Sequence, residues 1–84
     1  MSFTAPERRR QGERIRRARQ RARFTLQELS ERITRNGDST VSPQAINKWE
    51  HGLSSPTLNT SIALARALDV KWSDLFCGDE AGAA

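Results

Sequence analysis

Apolar residues recur along this chain at intervals of three and four positions, the spacing that places them on one face of an α-helix. No segment keeps up the alternation of apolar and polar residues that is typical of a β-strand. The 84 residues are enough for one small domain. The pattern therefore predicts an all-α fold of four or five helices, whose modest core depends on close helix packing.

The first predicted helix covers residues 6–23. Thr4 and Glu7 have the spacing of an N-terminal capping box, and Pro6 suits the first turn. Its inner stripe is narrow and consists of Ile15, Ala18 and Ala22. Gly12 weakens this helix by up to about 1 kcal/mol relative to alanine, so we expect the residues before it to fray.

The second predicted helix covers residues 25–36 and opens with another capping box, formed by Thr25 and Glu28. Its apolar stripe consists of Leu26, Leu29 and Ile33. Asn36 followed by Gly37 is a strong signal for the end of a helix.

The third predicted helix, residues 43–51, is short and has a polar outer face. Ser42 is a favourable N-cap, Pro43 a favourable first residue, and Gly52 suits the position that closes the helix. Ile46 and Trp49 point to one side. The opposite arc carries side chains that can hydrogen-bond to a partner, namely Gln44, Asn47, Lys48 and His51.

Two further helices are predicted after Pro56. The fourth, residues 57–69, is expected to bury an apolar stripe that consists of Leu58, Ile62, Ala65 and Leu68, with Leu64 beside them. The short fifth helix adds Trp72, Leu75 and Phe76. We expect the small, polar and acidic tail, residues 77–84, to be disordered.

The net charge of +4 conceals a strong asymmetry along the chain. Residues 1–24 hold nine arginines and two glutamates, a balance of +7, whereas residues 25–84 hold five basic and eight acidic residues, a balance of −3. A basic segment of this kind favours a nucleic-acid or other anionic partner. The alternative is a solvated arginine-rich helix without a ligand.

The residue types that enzymes and metal sites use are scarce in this chain. His51 is the only histidine, Cys77 is the only cysteine, and the sequence has no glycine-rich phosphate loop. We therefore expect no enzymatic activity, no metal ion and no cofactor. A lone cysteine, no signal peptide and no apolar run long enough to span a membrane together predict a cytoplasmic protein.

An ordered set of motifs resembles one known family over roughly residues 15–76. These motifs are Arg19, then Thr25-Leu26-Gln27-Glu28-Leu29, then Ser42, then Trp49-Glu50-His51-Gly52, followed by Pro56. The set resembles the phage repressor and Cro-type helix-turn-helix domain, also called XRE-like or lambda-repressor-like. The resemblance implies a compact DNA-binding domain, and it implies that Arg19 and Glu50 form an ion pair that bridges the first and third helices.

The resemblance also implies that residues 43–51 form the recognition helix. A helix fits the major groove of B-DNA, where amide and lysine side chains pair with base edges. The implied base contacts are Ser42, Pro43, Gln44, Asn47 and Lys48, with Pro43 limited to an apolar contact. Helix N-termini and the loop after Gly52 are expected to contact phosphates, which carry no sequence information. The expected phosphate contacts are Thr25, Arg35, Ser54, Ser55, Thr57 and Asn59, with helix capping as the alternative role of the threonines.

The sequence departs from the family pattern in three places. Leu29 and Val41 are further apart than the pattern expects, which we interpret as an extra turn of the second helix and a longer loop over residues 34–41. Lys71 stands where the family usually has a serine cap, so the fifth helix is expected to start late. Residues 1–11 precede the matching region and are predicted to form a basic arm or a helix extension. Its Arg8, Arg9 and Arg10 would reach DNA phosphates or a minor groove, unless they serve solubility or an acidic partner protein.

Two functional hypotheses follow. In the first, residues 12–76 are the DNA-binding domain of a bacterial or phage-encoded, nucleoid-associated transcriptional regulator. This regulator, most simply a repressor, binds double-stranded DNA at a two-fold operator as a homodimer. The dimerisation candidates are Trp72, Leu75 and Phe76, and a place in the core of one chain is their alternative role. In the second hypothesis, the same fold serves as an antitoxin-type module that binds a second protein partner.

Overall fold

The structure is a computed structural model that describes residues 5–37 and 40–76. These residues form five α-helices and no strand: α1 (Ala5–Arg21), α2 (Leu26–Asn36), α3 (Pro43–Glu50), α4 (Leu58–Leu68) and α5 (Trp72–Phe76). The all-α prediction is confirmed, and the predicted helix ends agree with these bounds to within about two residues, the usual scatter of such boundaries.

One hydrophobic core lies between the helices. The α2 helix packs against α3 and α4, and α1 lies across α3 and α5, while α4 also contacts α5. The largest apolar side chains that are fully buried come from all five helices: Ile15, Leu29, Ile33, Ile46, Leu64 and Leu75. The core thus fixes the position of α3 from both sides, through α1 and through α2.

The α1 helix is continuous through its glycine, so the expected fraying before Gly12 is wrong. Gly12 is buried, and a Cβ atom placed there would lie 2.6 Å from the carbonyl oxygen of Glu50 and closer still to that of Trp49. The missing side chain therefore lets the α1 backbone lie directly against the end of α3, which anchors the first turns of α1. The predicted capping box with Thr4 falls outside the described residues.

The predicted inner faces of α1 and α2 are confirmed. Ile15 and Ala18 are buried, and Ala22 packs at the edge of the core. On α2, Leu29 and Ile33 are buried, and the helix continues to Asn36, as the expected extra turn requires. The capping box at Thr25 is also present as predicted.

The α1 and α4 helices both end in a Schellman motif whose left-handed residue is not glycine. These residues are Arg23, with φ 61°, and Asp69, with φ 56°. At the end of α1, the backbone N–H of Phe24 donates to the carbonyl oxygen of Arg19 at 3.2 Å, and that of Arg23 donates to Gln20 at 3.0 Å. Each motif satisfies carbonyl groups that a helix end would otherwise leave without a partner.

The buried face of α4 differs from the predicted one. Leu58 and Ile62 are 52% and 37% exposed, so the prediction that they belong to the buried stripe is wrong. Ser61 occupies the buried position instead, one turn before the buried apolar residues of the stripe, which are Leu64, Ala65 and Leu68. The core-facing arc of α4 is thus rotated by about 100°, one residue, at its first turn.

Ser61 can be buried because its hydroxyl group has partners on both sides. The hydroxyl donates to the carbonyl oxygen of Leu58 at 2.6 Å and accepts from Nε1 of Trp72 at 2.8 Å. Buried polar groups are tolerated where their hydrogen bonds are made. The same contact ties α5 to α4.

The connection between α2 and α3 is hydrogen-bonded to α2 close to the start of α3. The hydroxyl group of Thr34 accepts from the backbone N–H of Val41 at 3.1 Å and donates to the carbonyl oxygen of Ser30 at 2.8 Å.

The predicted disordered tail, residues 77–84, lies outside the described residues. Within the described ranges, every helix is too short or too polar to cross a membrane.

Candidate nucleic-acid interface

The α3 helix begins at a serine cap, as predicted. The hydroxyl oxygen of Ser42 accepts a hydrogen bond from the backbone N–H of Ala45 at 3.2 Å, and Pro43 takes the first helical position. The cap satisfies one of the N–H groups that a first turn leaves without a helical partner. The start of α3 is therefore fixed by its own sequence.

The α3 helix ends in a turn that depends on glycine. Gly52 has φ 73°, and its N–H donates to the carbonyl oxygen of Trp49 at 3.1 Å, while that of Leu53 donates to Lys48 at 2.9 Å. These two bonds complete a Schellman motif, and the predicted closing role of Gly52 is confirmed.

The N-terminal turns of α1 brace this end of α3. Nε of Arg8 donates to the carbonyl oxygen of Gly52 at 3.2 Å. A Cβ atom at position 52 would lie 3.0 Å from Cγ of Arg9 and 3.1 Å from its backbone nitrogen. Gly52 thus meets two demands at once, a left-handed backbone and a close approach by α1.

Arg19 and Glu50 meet between α1 and α3. Nε of Arg19 donates to Oε2 of Glu50 at 2.6 Å, and Nη2 donates to Oε1 at 3.1 Å, which is the paired geometry that suits a guanidinium and a carboxylate. Nη1 of Arg19 also donates to the carbonyl oxygen of Phe24 at 3.0 Å. The side chains are 16% and 4% exposed, so the pair is largely removed from water.

The inner and outer faces of α3 separate as the sequence predicted. Ile46 and Trp49 are buried in the core. Gln44, Asn47 and Lys48 are exposed and share one arc of the helix. A helix that is held at both ends and on its inner face therefore presents two amides and a lysine to solvent.

A comparison with protein-family models identifies the family of this chain. Residues 15–75, which extend from the middle of α1 to α5, match the helix-turn-helix model of the XRE and lambda-repressor type. The chain belongs to this family. Helix-turn-helix proteins of this kind are DNA-binding regulators, and α2 and α3 are the two helices of the motif. The comparison with curated proteins gives no match, and neither does the comparison with solved structures.

Of the five candidate base contacts, four are exposed and one is half-buried. Ser42, Gln44, Asn47 and Lys48 are exposed, whereas Pro43 is half-buried. His51 follows them at the end of α3, where its Nδ1 lies 2.8 Å from the carbonyl oxygen of Asn47. Gln44, Asn47 and Lys48 thus lie along one side of α3, whereas Ser42 and Pro43 lie at its N-terminal end.

The candidate phosphate contacts lie at helix starts and in the loop between α3 and α4. Thr25 and Thr57 are the exposed N-caps of α2 and α4, and Asn59 is exposed in the first turn of α4. Ser54 and Ser55 are half-buried in the loop, and Arg35 is exposed in the last turn of α2. Both threonine hydroxyl groups accept a backbone N–H within their own helix, so they cap as well as face solvent. Ser55 differs, because its hydroxyl oxygen is buried without a hydrogen-bond partner.

The capping box of α2 lowers the pKa of its glutamate, Glu28. The backbone N–H of Thr25 donates to Oε1 of Glu28 at 3.0 Å, and this bond is the main cause that lowers the pKa of Glu28 from its ordinary value of 4.5. The Thr25 hydroxyl group and the positive charge of Arg32 lower it further. The start of α2 thus carries a carboxylate that favours its ionised form.

The arginines at the start of the chain divide between two sides of α1. Residues 5–11 form the first turns of α1. Arg8 is half-buried against the α3–α4 loop, whereas Arg9 and Arg10 are exposed. Further along, Nε of Arg14 donates to the carbonyl oxygen of Leu75 at 2.9 Å, which ties α1 to the end of α5. The structural roles of Arg8 and Arg14 were missed, because a run of arginines gives no signal for a distant carbonyl.

The dimerisation candidates lie mostly inside the chain. Leu75 and Phe76 are buried, and Trp72 is half-buried with its ring stacked on Phe76 at 5.4 Å between centroids. Their alternative role, the core of one chain, is therefore the arrangement observed. The large apolar side chains that are exposed among the described residues are instead Leu53, Leu58 and Ile62.

Proposed function

We propose that this chain is a sequence-specific transcriptional regulator that binds double-stranded DNA as a homodimer and represses transcription by covering a promoter. In this proposal α3 enters the major groove, and the base contacts come from Ser42, Pro43, Gln44, Asn47 and Lys48. A domain of this size reads few base pairs, so a second copy supplies the second half of a two-fold operator.

The observation that carries the proposal is the polar outer arc of α3 on a rigid support. Gln44, Asn47 and Lys48 are exposed, while the two ends of the helix are fixed by the Ser42 cap and the Gly52 turn. Amide side chains can pair with the N6 and N7 edge of adenine, and lysine can reach O6 and N7 of guanine. Support that is rigid keeps such contacts in register with the bases.

Phosphate contacts would surround this arc. Thr25 and Thr57 cap helices whose N-termini attract anions, and Arg35 adds a positive charge near the α2–α3 connection. These contacts would set the orientation of α3 on the duplex and carry no base preference.

The homodimer needs an apolar surface that Leu75 and Phe76 do not offer. Leu58 and Ile62 are one turn apart on the exposed side of α4 and support a contact between two copies there. Sedimentation equilibrium of the wild-type chain and of Leu58→Lys tests this part of the proposal. Loss of a dimer in the variant is the expected result, and an unchanged dimer would move the interface elsewhere.

Selection from a pool of random duplexes tests the DNA-binding part. The purified chain retains duplexes at a series of salt concentrations, and the retained sequences are then read. We expect enrichment of a short palindrome that is lost in Gln44→Ala and in Lys48→Ala. Gln20→Ala is the matched control, since Gln20 is an exposed amide that belongs to α1 and not to α3.

Each result of the selection has a definite meaning. A palindrome that survives both α3 substitutions would contradict the assignment of α3 as the reading element. Retention without any enriched sequence would mean that the arginines hold DNA nonspecifically, and the antitoxin-type hypothesis of a second protein partner would then take precedence.

A further inference from the structure

The outer side of α1 carries a row of exposed arginines. Arg10, Arg17 and Arg21, called here the arginine stripe, are all exposed. They recur at intervals of seven and four residues, so they lie along one side of the helix. At about 1.5 Å per residue the row is about 16 Å long. A row of this length can contact more than one phosphate of a DNA strand.

The arginine stripe faces away from α3. Gly12 and Arg19 mark the side of α1 that touches α3, through the Trp49 and Glu50 carbonyl groups and through the ion pair. Each arginine of the stripe is two residues from one of these positions, which is about 160° around the helix axis. The stripe is thus on the opposite side of α1 from the contact with α3.

The base-reading arc of α3 faces away from α1 in the same manner. Glu50 marks the side of α3 that touches α1. Lys48 and Gln44 lie about 160° and about 120° around the helix axis from it. Asn47, the third residue of the arc, lies about 60° from Glu50, so the arc as a whole is centred on a side of α3 that does not face α1. A duplex on this arc and a ligand on the stripe would therefore contact different sides of the domain.

The exposed charge of α1 as a whole has little internal compensation. Among the exposed charged residues of α1 there is one acid, Glu13, against the arginines Arg9, Arg10, Arg16, Arg17 and Arg21. Glu13 lies 4.0 Å from Arg17, and both side chains are more than two-thirds exposed, so water screens this pair strongly. Arg17 and Arg21 are one turn apart, where like charges destabilise a helix. A polyanion would relieve this repulsion.

We propose that the arginine stripe binds the phosphates of a second double-stranded DNA segment while α3 occupies the first, so that the protein bridges two segments. Arginine suits this role, because its planar group donates two parallel hydrogen bonds to one phosphate. The inference rests on DNA binding by α3, and the experiment separates the failure of one from the failure of the other.

A bridging assay tests the proposal with the full chain. Beads that carry one duplex are loaded with protein, washed, and offered a fluorescent duplex of unrelated sequence. Protein retained on the beads reports the first contact, and captured fluorescence reports the second. The stripe variant is Arg10→Gln with Arg21→Gln. The control is Arg66→Gln with Lys71→Gln, which removes the same charge from exposed positions outside α1.

We expect the stripe variant to remain on the beads within about twofold of wild type and to lose capture of the second duplex. Two lost phosphate contacts lower the salt slope by about 1.8, which amounts to about tenfold between 50 and 200 mM salt. The control variant should capture as wild type does. Circular dichroism and thermal melting of each variant check that the fold is intact.

The remaining outcomes overturn one claim or the other. Equal capture by the stripe variant, or no capture by wild-type protein that stays on the beads, refutes the bridging proposal and leaves DNA binding by α3 standing. An acidic protein would then be the better occupant of the stripe. If Gln44→Ala with Lys48→Ala binds the first duplex as wild type does, the role of α3 fails. If fluorescence anisotropy detects no duplex binding by wild-type protein even at 50 mM salt, both proposals are refuted.

Discussion

Arg19 holds Glu50 through two parallel hydrogen bonds of 2.6 and 3.1 Å, and the Glu50 side chain is only 4% exposed. The carboxylate therefore depends on the guanidinium for the stabilisation that water would otherwise provide. Since Glu50 is the last residue of α3 and Arg19 lies on α1, the pair fixes the angle between these two helices.

Removal of one partner should be costly. Arg19→Met would leave a nearly buried carboxylate without its counter-charge, and we expect the free energy of unfolding to fall by about 3–5 kcal/mol. Urea denaturation of Arg19→Met, Glu50→Gln and the double variant measures the coupling between the two residues. A coupling energy close to zero would contradict the role of the pair.

An exposed ion pair within α1 provides the control. Glu13 and Arg17 are one turn apart and largely exposed. Their double-variant cycle should give about 0.5 kcal/mol or less, as exposed pairs in helices do.

Replacement of Gly12 should destabilise the fold although alanine is the better helix former. The added methyl group would collide with the carbonyl groups of Trp49 and Glu50, which are backbone atoms of α3 and cannot rotate away. We expect Gly12→Ala to lower the free energy of unfolding by about 1–3 kcal/mol, the usual cost of overpacking.

Chemical denaturation measures this effect, with Gln20→Ala as a control on the exposed side of α1. The control should change the stability by less than about 0.5 kcal/mol. A Gly12→Ala variant that is as stable as wild type would mean that α1 does not lie against α3 as described.

Glycine at the left-handed helix ends should stabilise the protein. Arg23 has φ 61°, a conformation that costs a residue with a side chain about 1–2 kcal/mol. Arg23→Gly should therefore raise the melting temperature, with a net gain of up to about 1 kcal/mol after the greater entropy of glycine in the unfolded chain. Asp69→Gly should gain less, because aspartate tolerates this conformation better than arginine.

Gln20→Gly is the comparison for this series, since Gln20 lies within α1. It should lower the stability by about 1 kcal/mol. A loss of stability in Arg23→Gly would argue against the Schellman motif at the end of α1.

The capping box of α2 should make stability depend on pH in the acid range. The pKa of Glu28 is lowered in the folded chain, so its contribution is fully present above the ordinary pKa of 4.5. It is lost as the pH falls through the lowered folded value, because protonation removes the charge that the Thr25 N–H favours. Unfolding curves at a series of pH values should show a smaller acid loss in Glu28→Gln than in wild type. Equal acid sensitivity of the two chains would exclude this contribution.

Features that depend on neighbouring residues could be predicted from the sequence. The caps at Thr25 and Ser42 and the turn at Gly52 each need a side chain or a glycine within a few positions of the helix end. Spacing alone therefore located the ends of α2 and α3. The outer arc of α3 followed from the same periodicity, since Ile46 and Trp49 define the inner side.

Features that depend on distant partners could not be predicted in this way. The core-facing side of α4 was misplaced at Leu58 and Ile62, because the hydrogen bond of Ser61 with Trp72 was not foreseeable from apolar spacing. The contact of Gly12 with α3 had one local signal, a glycine within a helical segment, and this was interpreted as weakness. Arg19 and Glu50 were paired through the family resemblance, which carries tertiary information that spacing lacks.

The contacts of α1 also determine when this helix can dock during synthesis. Its partners come much later in the chain, since Glu50 follows Arg19 by 31 residues and Leu75 follows Arg14 by 61. A ribosome that adds about 5–20 residues per second exposes α1 for several seconds before α5 emerges. During this interval the buried residues of α2, α3 and α4 can already pack around Ile15, but Arg14 still lacks the carbonyl group of Leu75. The contact between α1 and the end of α5 therefore forms last, after the other helices have had time to pack.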